Sequence, residues 1–425
     1  MLSVSNGYLK VNYYHLAHFL LCALLVFADV GLNPFSSQVS ELRLDETGFS
    51  NALRQIVFLL IWVLSVVCFF KLGSVKDLLK FKGLILILLW CALSVSWAAE
   101  PAISFRRIIL LSVTTTTLMM LVSIIKADSL FKVLAVLYAA LLIISIVSIP
   151  VLPGAVHGAS ELFDTGLVGN WKGVFPHKNL AAPAICFGII FFIYSIIKTK
   201  NYFYAPFILV GIIFIYFTQS KTSFALLFPS VFFGLMMMLV IKRSLIKNIV
   251  AIVIFVFLVL LVVLSEQILF LFLDVLNDPQ AFTGRATIWN LMYLAIQDHF
   301  WFGLGYGSVW HVGEDMVVAK YAFGWVDWVF TQTQGHNSYL DLILSIGFIG
   351  FCLVFFILVI KPFYDLLYAD NPDPYFVFLY FSLFFFVVFH SLLETNFLYA
   401  DKGRWFLFLI MYLLLMKNSR RTCEE

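Results

Sequence analysis

The chain has 425 residues, of which 62% are hydrophobic and only 12% charged, with a formal net charge of +3. A mean hydropathy of +1.00 excludes a soluble domain of this length, and continuous rather than alternating apolar runs exclude a β-barrel. The net charge itself says little, and no nucleic-acid partner is expected; what remains is an all-α polytopic membrane protein embedded in a lipid bilayer.

Twelve apolar runs read as membrane helices, at about residues 14–32, 54–72, 83–98, 103–125, 130–152, 179–197, 203–217, 222–241, 248–273, 338–360, 375–393 and 404–417. The third, seventh and twelfth are short for a hydrocarbon core of roughly 30 Å. Tilt, or ends that differ from the pattern, are expected there. Residues 1–425 form one integral membrane domain. With a cytoplasmic N-terminus, the inner loops and tails hold 16 of the 27 lysines and arginines, as the positive-inside rule asks. Both termini then lie in the cytoplasm. The first run lacks a small-residue cleavage site, so no cleavable signal is expected. No two cysteines share an outer loop, so no disulfide is expected either.

Two outer segments break the apolar pattern. The first, 153–178, is rich in glycine and ends in Phe175-Pro176-His177-Lys178-Asn179. Its end is the amino terminus of the sixth span, where free amides and the helix dipole attract phosphate. Lys178, His177 and Asn179 are therefore candidate contacts. The second is the long loop 274–337. Asp278-Pro279 is a turn signal, and Thr283 or Gly284 can cap a helix beginning near Arg285. Ile288, Trp289, Met292, Tyr293 and Ile296 give that helix one apolar face. GLGYGS (303–308) ends it; without a βαβ context its glycine spacing reads as a turn, not a dinucleotide site. Trp310, Trp325, Trp328, Phe323 and Phe330 suit a segment lying at the membrane interface.

Four polar clusters fall on the outer side: NWKGVFPHKN (170–179), TQSKTS (218–223), TGRATIW (283–289) and QTQGHNSYLD (332–341). Cations, a histidine and amides at one face suit an anionic, lipid-borne substrate. Arg285 sits in a first helical turn, where a cation is poorly placed against the dipole unless an anion binds beside it. Its fork matches phosphate oxygens; the alternative is a surface pair with Asp274 or Asp278. Lys221 stands among hydroxyls and an amide, with a snorkelling lysine as the alternative. His336, followed by Asn337, can take up a proton near neutral pH; the alternative is a capping or interfacial histidine. His390 and Glu394 are four apart and share a helix face at the end of the eleventh span. Arg404 and Asp401 follow, and Arg106 and Arg107 open the fourth span. For these, a structural ion-pair network is the alternative. No outer cluster has metal-ligand spacing and no G-x-S-x-G elbow occurs, so no metal and no cofactor are expected.

These residues carry a resemblance. TGRATIWNLMYLAIQDHFWFGLGYGSVW and GHNSYLDLILSIGFIG resemble the O-antigen ligase and polymerase superfamily, and GVFPHKN and SKTS resemble its exopolysaccharide polymerase branch. The resemblance implies a C-type glycosyltransferase-like fold in the bacterial inner membrane, with the active site facing the periplasm. It implies an undecaprenyl-diphosphate-linked glycan donor and a glycan or lipid A–core acceptor. A flippase and a chain-length regulator are implied as possible partners. It also implies metal-independent chemistry, with Arg285 and Lys221 on the diphosphate and His336 at the acceptor; direct attack from the face opposite the leaving diphosphate would invert the anomeric centre. Many relatives carry arginine where this chain has Lys221, so the grip there is less directional. Polymerase, ligase and flippase or transporter readings stay open at this point. Polar groups gathered at one end, rather than through the depth of the spans, favour an enzyme.

Overall fold

The computed structural model describes residues 2–36, 49–158, 165–243, 247–249, 264, 271–272, 274, 285–312, 316–322, 327–330 and 332–418. Among them the chain is helical, and its only extended pairing is an isolated bridge between Val156 and Trp171. In chain order come α1 (Leu2–Val30), α2 (Phe49–Leu72), α3 (Val75–Trp97), α4 (Pro101–Ile124), α5 (Ala127–Ser148) and α6 (Lys178–Thr199). Then follow α7 (Ala205–Thr218), α8 (Lys221–Val240) and the loop helix α9 (Arg285–Asp298). The last are α10 (Ser338–Leu367, with a π turn at Phe356–Ile360), α11 (Pro374–His390) and α12 (Gly403–Asn418).

Eight of these helices, α1 to α6, α8 and α10, are long and apolar enough to cross a bilayer; α7 and α11 are shorter apolar helices. The third sequence run lengthens to 23 residues because helical turns at both ends continue it. The twelfth stays short, at 16 residues, yet α12 is enclosed by protein from Gly403 to Met416. A helix lined by other helices need not match the bilayer thickness. The run expected at 248–273 lies almost entirely outside the described residues. So do the Asp278-Pro279 turn, the Thr283-Gly284 cap, Phe323 and Trp325.

Alternating helix directions bring one set of ends together. At that end Val174 N–H donates to the Ser145 hydroxyl of α5, Trp171 N–H to the Phe217 carbonyl of α7, and Ser338 N–H to the Ser391 carbonyl after α11. Ser94 of α3 and Ser104 of α4 both bond the backbone of Tyr306. The α9 loop forms its own small core on this end, built from Trp289, Met292, Leu304, Trp310, Met316 and Val318 against Leu344 of α10.

That loop is locked into a break in α10. Gly347 has φ +73° and ψ 172° inside the helix, which removes the local ladder bonds. The loop replaces them: Leu304 N–H donates to Leu344 O at 2.8 Å, and Phe348 N–H to Phe300 O at 2.7 Å. Trp90 Nε1 takes the Ile346 carbonyl at 3.0 Å. Irregular backbone at this depth is tolerated because protein covers and satisfies it. The GLGYG glycines follow from the same close approach. Gly303 and Gly305 have φ of +70° and +91°, and a Cβ at Gly305 would stand 2.3 Å from Ala98 Cβ.

A side chain at Gly347 would meet Trp301 O at 2.1 Å. Gly347→Ala should therefore destabilise the detergent-solubilised protein by roughly 2–4 kcal/mol, from backbone strain plus collision. Gly169 is the control, with φ +86° but open space around it. Gly169→Ala should show only the strain, about 1 kcal/mol. Equal, small drops in thermal midpoint at both positions would mean that the loop does not lock the break.

Candidate functional site

The polar end converges on Glu394, in the turn between α11 and α12. Its carboxylate is buried. Arg285, the first residue of α9, donates NH2 to Glu394 Oε1 at 2.6 Å and NH1 to the Leu393 carbonyl. His336 faces the other oxygen, with Nδ1 3.3 Å from Oε2. Asn179 Nδ2 stands 3.5 Å from Oε1, at the limit of a hydrogen bond. Burial pushes the Glu394 carboxyl up, but the His336 hydrogen bond and the guanidinium charges of Arg285 and Arg404 outweigh it. They hold the group well below the usual carboxylate range. It is therefore an ionised hub for a cation and an imidazole.

A second carboxylate holds the backbone of the same histidine. His336 has φ +52°, a left-handed conformation unusual for a residue with a side chain. The preceding Gly335 is tied on both sides: its N–H donates to both Asp341 oxygens at 3.2 Å, and its carbonyl accepts Trp289 Nε1 at 3.0 Å. Asp341 also accepts Trp310 Nε1 at 2.7 Å and the Thr395 hydroxyl. Asn337 caps α10 by accepting from Tyr339 N–H and Leu340 N–H. Ser338 bonds both Glu394 O and Asn396 N–H, fixing the α11–α12 turn against α10. Glu394 thus orients the ring, and Asp341 the main chain.

Several sequence expectations change. Arg285 pairs with Glu394, 109 residues away, and not with Asp274. His390 and Glu394 do not share a helix face, because α11 ends at His390. His390 instead lies against Asn396, with Nδ1 3.3 Å from Asn396 Nδ2. The amino end of α6 does not offer free amides for phosphate. Lys178 N–H goes to His157 Nε2 and Asn179 N–H to His177 Nδ1, each at 3.1 Å, while Leu180 and Ala181 bond the His177 carbonyl. His177 is thus a buried cap, not a cation: burial, with His157 and the nearby lysines, pushes its pKa down to about 3.

The remaining candidates are spread around this centre. Lys221 is exposed at the start of α8 and makes no ion pair or hydrogen bond among the described residues. The hydroxyls around it close the α7–α8 junction: Thr218 Oγ1 accepts Ser220 N–H, and Ser220 and Ser223 bond each other. Arg106 is exposed. Arg107 clamps the loop through the Gly307, Trp310 and His311 carbonyls. Arg404 is buried and donates to Asn179 O at 3.3 Å. Asp341, His157 and Asn396, which bond the backbone and side chains around this centre, were not singled out by the sequence pattern. An aspartate in the first turn of an otherwise apolar helix was the available signal for Asp341, since a buried charge there needs partners.

Residues 205–355 match the family model described as O-Antigen ligase. The matched stretch runs from α7 past the break in α10, and includes Lys221, Arg285, His336 and Asp341; Glu394, Asn179 and Arg404 fall outside it. No curated protein matches the chain. The match supports the O-antigen ligase and polymerase superfamily. Together with the apolar helices, it supports a multi-pass membrane protein acting in lipid-linked glycan ligation or polymerisation.

Two outcomes test this geometry. An unfolded imidazole protonates near pH 6.5, whereas His177 does so only near 3. Its contribution to stability is complete above about 6.5 and falls as pH drops toward 3, by at most about 1.4 kcal/mol per pH unit. His177→Asn keeps a capping acceptor without a proton to gain. It should flatten the fall in thermal midpoint between about pH 6.5 and 5; an unchanged slope would show that another group causes it. Asp341→Leu removes both acceptor oxygens from the Gly335, Trp310 and Thr395 donors. Loss of those bonds should destabilise the protein by roughly 1–3 kcal/mol and speed proteolysis near residues 332–337, and a wild-type cleavage pattern would count against this tether.

Proposed function

We propose that the protein transfers a glycan from an undecaprenyl-diphosphate carrier to a sugar hydroxyl, and that it polymerises O-antigen or exopolysaccharide repeats. The observation that carries this reading is the single carboxylate of Glu394 shared by Arg285 and His336. It puts a guanidinium and an imidazole side by side at the polar end of the bundle.

The chemistry has two demands. A lipid diphosphate leaves with growing negative charge, and a sugar hydroxyl must lose a proton as its oxygen attacks. Arg285 meets the first demand with the guanidinium N–H groups left over from its bonds to Leu393 and Glu394. His336 meets the second. An ionised carboxylate at Nδ1 calls for a proton on that nitrogen, so Nε2 carries the lone pair. The acceptor oxygen forms a bond to the anomeric carbon, the bond from that carbon to the phosphate oxygen breaks, and the hydroxyl proton moves to Nε2. Glu394 then balances the imidazolium. Attack opposite the leaving diphosphate inverts the anomeric centre. Lys178 and the exposed Lys221 add positive potential around the lipid headgroup.

The orientation rests on the lysine bias read from the sequence, now placed on the helices. Lys71, Lys76, Lys80, Lys132, Lys200 and Lys361 belong to the opposite ends of their helices or to the loops there. Those ends fit the cytoplasm, leaving the site toward the periplasm of the inner membrane. Ligation of the glycan to lipid A–core is the second reading, favoured by the description of the matched family. Both readings share the donor and differ in acceptor.

With purified protein and a defined lipid-linked repeat, polymerisation should give products longer by whole repeats, whereas ligation should require added lipid A–core. Arg285→Ala should lower transfer roughly 10²–10³-fold. His336→Ala and His336→Gln should both lose roughly 10²–10⁴-fold in single-turnover rate while still binding the donor. A glutamine variant near the wild-type rate would reduce His336 to a positioning residue. Glycan-independent release of carrier as the sole product would remove the transferase reading altogether.

A further inference from the structure

We propose that Arg404 is a second phosphoryl contact, one that makes the site select a diphosphate-linked lipid over a monophosphate-linked one. This rests on the donor assigned under the proposed function.

Arg404 is the second residue of α12 and is only 5% exposed. Each neighbouring arginine on this end that is paired has a full reason to be there. Arg285 holds a carboxylate and a carbonyl, Arg54 pairs with Asp401 at 2.8 Å, and Arg107 clamps three carbonyls. Arg404 has one bond among the described residues, NH1 to Asn179 O at 3.3 Å, and its Nε is buried without a partner. A guanidinium carries five donors in a planar fork. Burying it with so little compensation is unfavourable unless something else supplies acceptors.

The nearest carboxylates do not supply them. No Asp or Glu oxygen forms an ion pair with Arg404 among the described residues. Asp29 lies beside the preceding residue, where a Cβ on Gly403 would stand 1.9 Å from its Oδ1. That carboxylate takes the Tyr138 hydroxyl at 3.0 Å. Glu394 is occupied by Arg285 and His336. The titratable and charged groups around the guanidinium are thus Asp29, Glu394, Arg285, His390 and Tyr399, and none gives it a bonded acceptor.

Its position is the second half of the argument. Asn179 links it to the hub: the Asn179 carbonyl accepts from Arg404, and the side-chain amide of the same residue faces Glu394. Arg404 and Arg285 therefore flank one carboxylate and one amide. The first turn of α12 adds the positive end of its dipole. Two of Arg285's nitrogens are already engaged, which suits it to one phosphoryl group. A diphosphate brings a second, and Arg404 holds the unused donors that would receive it.

The test uses farnesyl diphosphate and farnesyl monophosphate as product-like inhibitors of transfer by the full-length protein in detergent. Wild type should be inhibited more strongly by the diphosphate. Arg404→Gln should weaken inhibition by the diphosphate roughly ten- to a hundredfold and leave the monophosphate within about threefold, an effect size below one charged hydrogen bond. Arg404→Lys keeps the charge, guards against a folding defect, and should fall between the two. Equal weakening of both inhibitors, or of neither, would overturn the assignment. The parent reading fails separately: if neither lipid phosphate inhibits wild type, the diphosphate donor is wrong. If the diphosphate inhibits wild type and Arg285→Ala abolishes that while both Arg404 variants behave as wild type, only the role of Arg404 falls.

Discussion

The polar end of this molecule depends on one buried negative charge. Glu394 is drawn into protein by Arg285 on one oxygen and His336 on the other. A carboxylate without partners at that depth would be strongly unfavourable, and removing either partner leaves an uncompensated charge or donor. Three parts of the chain distant in sequence therefore meet there: the loop helix α9, the turn before α10, and the turn between α11 and α12. The same constraint that assembles these elements sets a cation beside an imidazole, which is why packing and chemistry are inseparable here.

Rigidity comes from a different source. The α9 loop is stitched into the break at Gly347 by backbone bonds, and Trp90 takes the remaining carbonyl. Its small core closes on Leu344 of α10. A long loop anchored in this way behaves as an extension of the bundle. Asp341 then passes that order to the His336 main chain through Gly335. Supporting bonds of this kind hold the imidazole in a narrow range of positions, which the transfer proposed for it requires.

The family match and the site divide the chain unequally. Arg285 and His336 lie inside the matched residues 205–355, while Glu394 lies beyond them. The two groups proposed to carry the transfer step, Arg285 and His336, thus come from the matched stretch, whereas the carboxylate that orients them and the proposed second phosphoryl contact, Arg404, come from beyond it. Asn179, at the start of α6, joins from the other side. The matched segment does not contain a complete site by itself.

The sequence alone determined the membrane class, most helices and the candidates at one end, because these depend on local quantities. Apolar run length sets a span, and polar residues at span ends mark a face. The helix beginning at Arg285 and the turn role of GLGYGS were legible for the same reason. The tertiary structure decided the rest. That α11 stops at His390, and so separates it from Glu394, depends on bonds from Asn396 and Ser338 that no spacing rule contains. The amides of α6 looked open to phosphate until His157, from the preceding loop, was seen to accept one of them. Arg285 finds its carboxylate 109 residues away, a separation at which sequence pattern carries no partner information. Periodicity reports what one helix does with its own faces, whereas an ion pair between distant segments exists only once the bundle has closed.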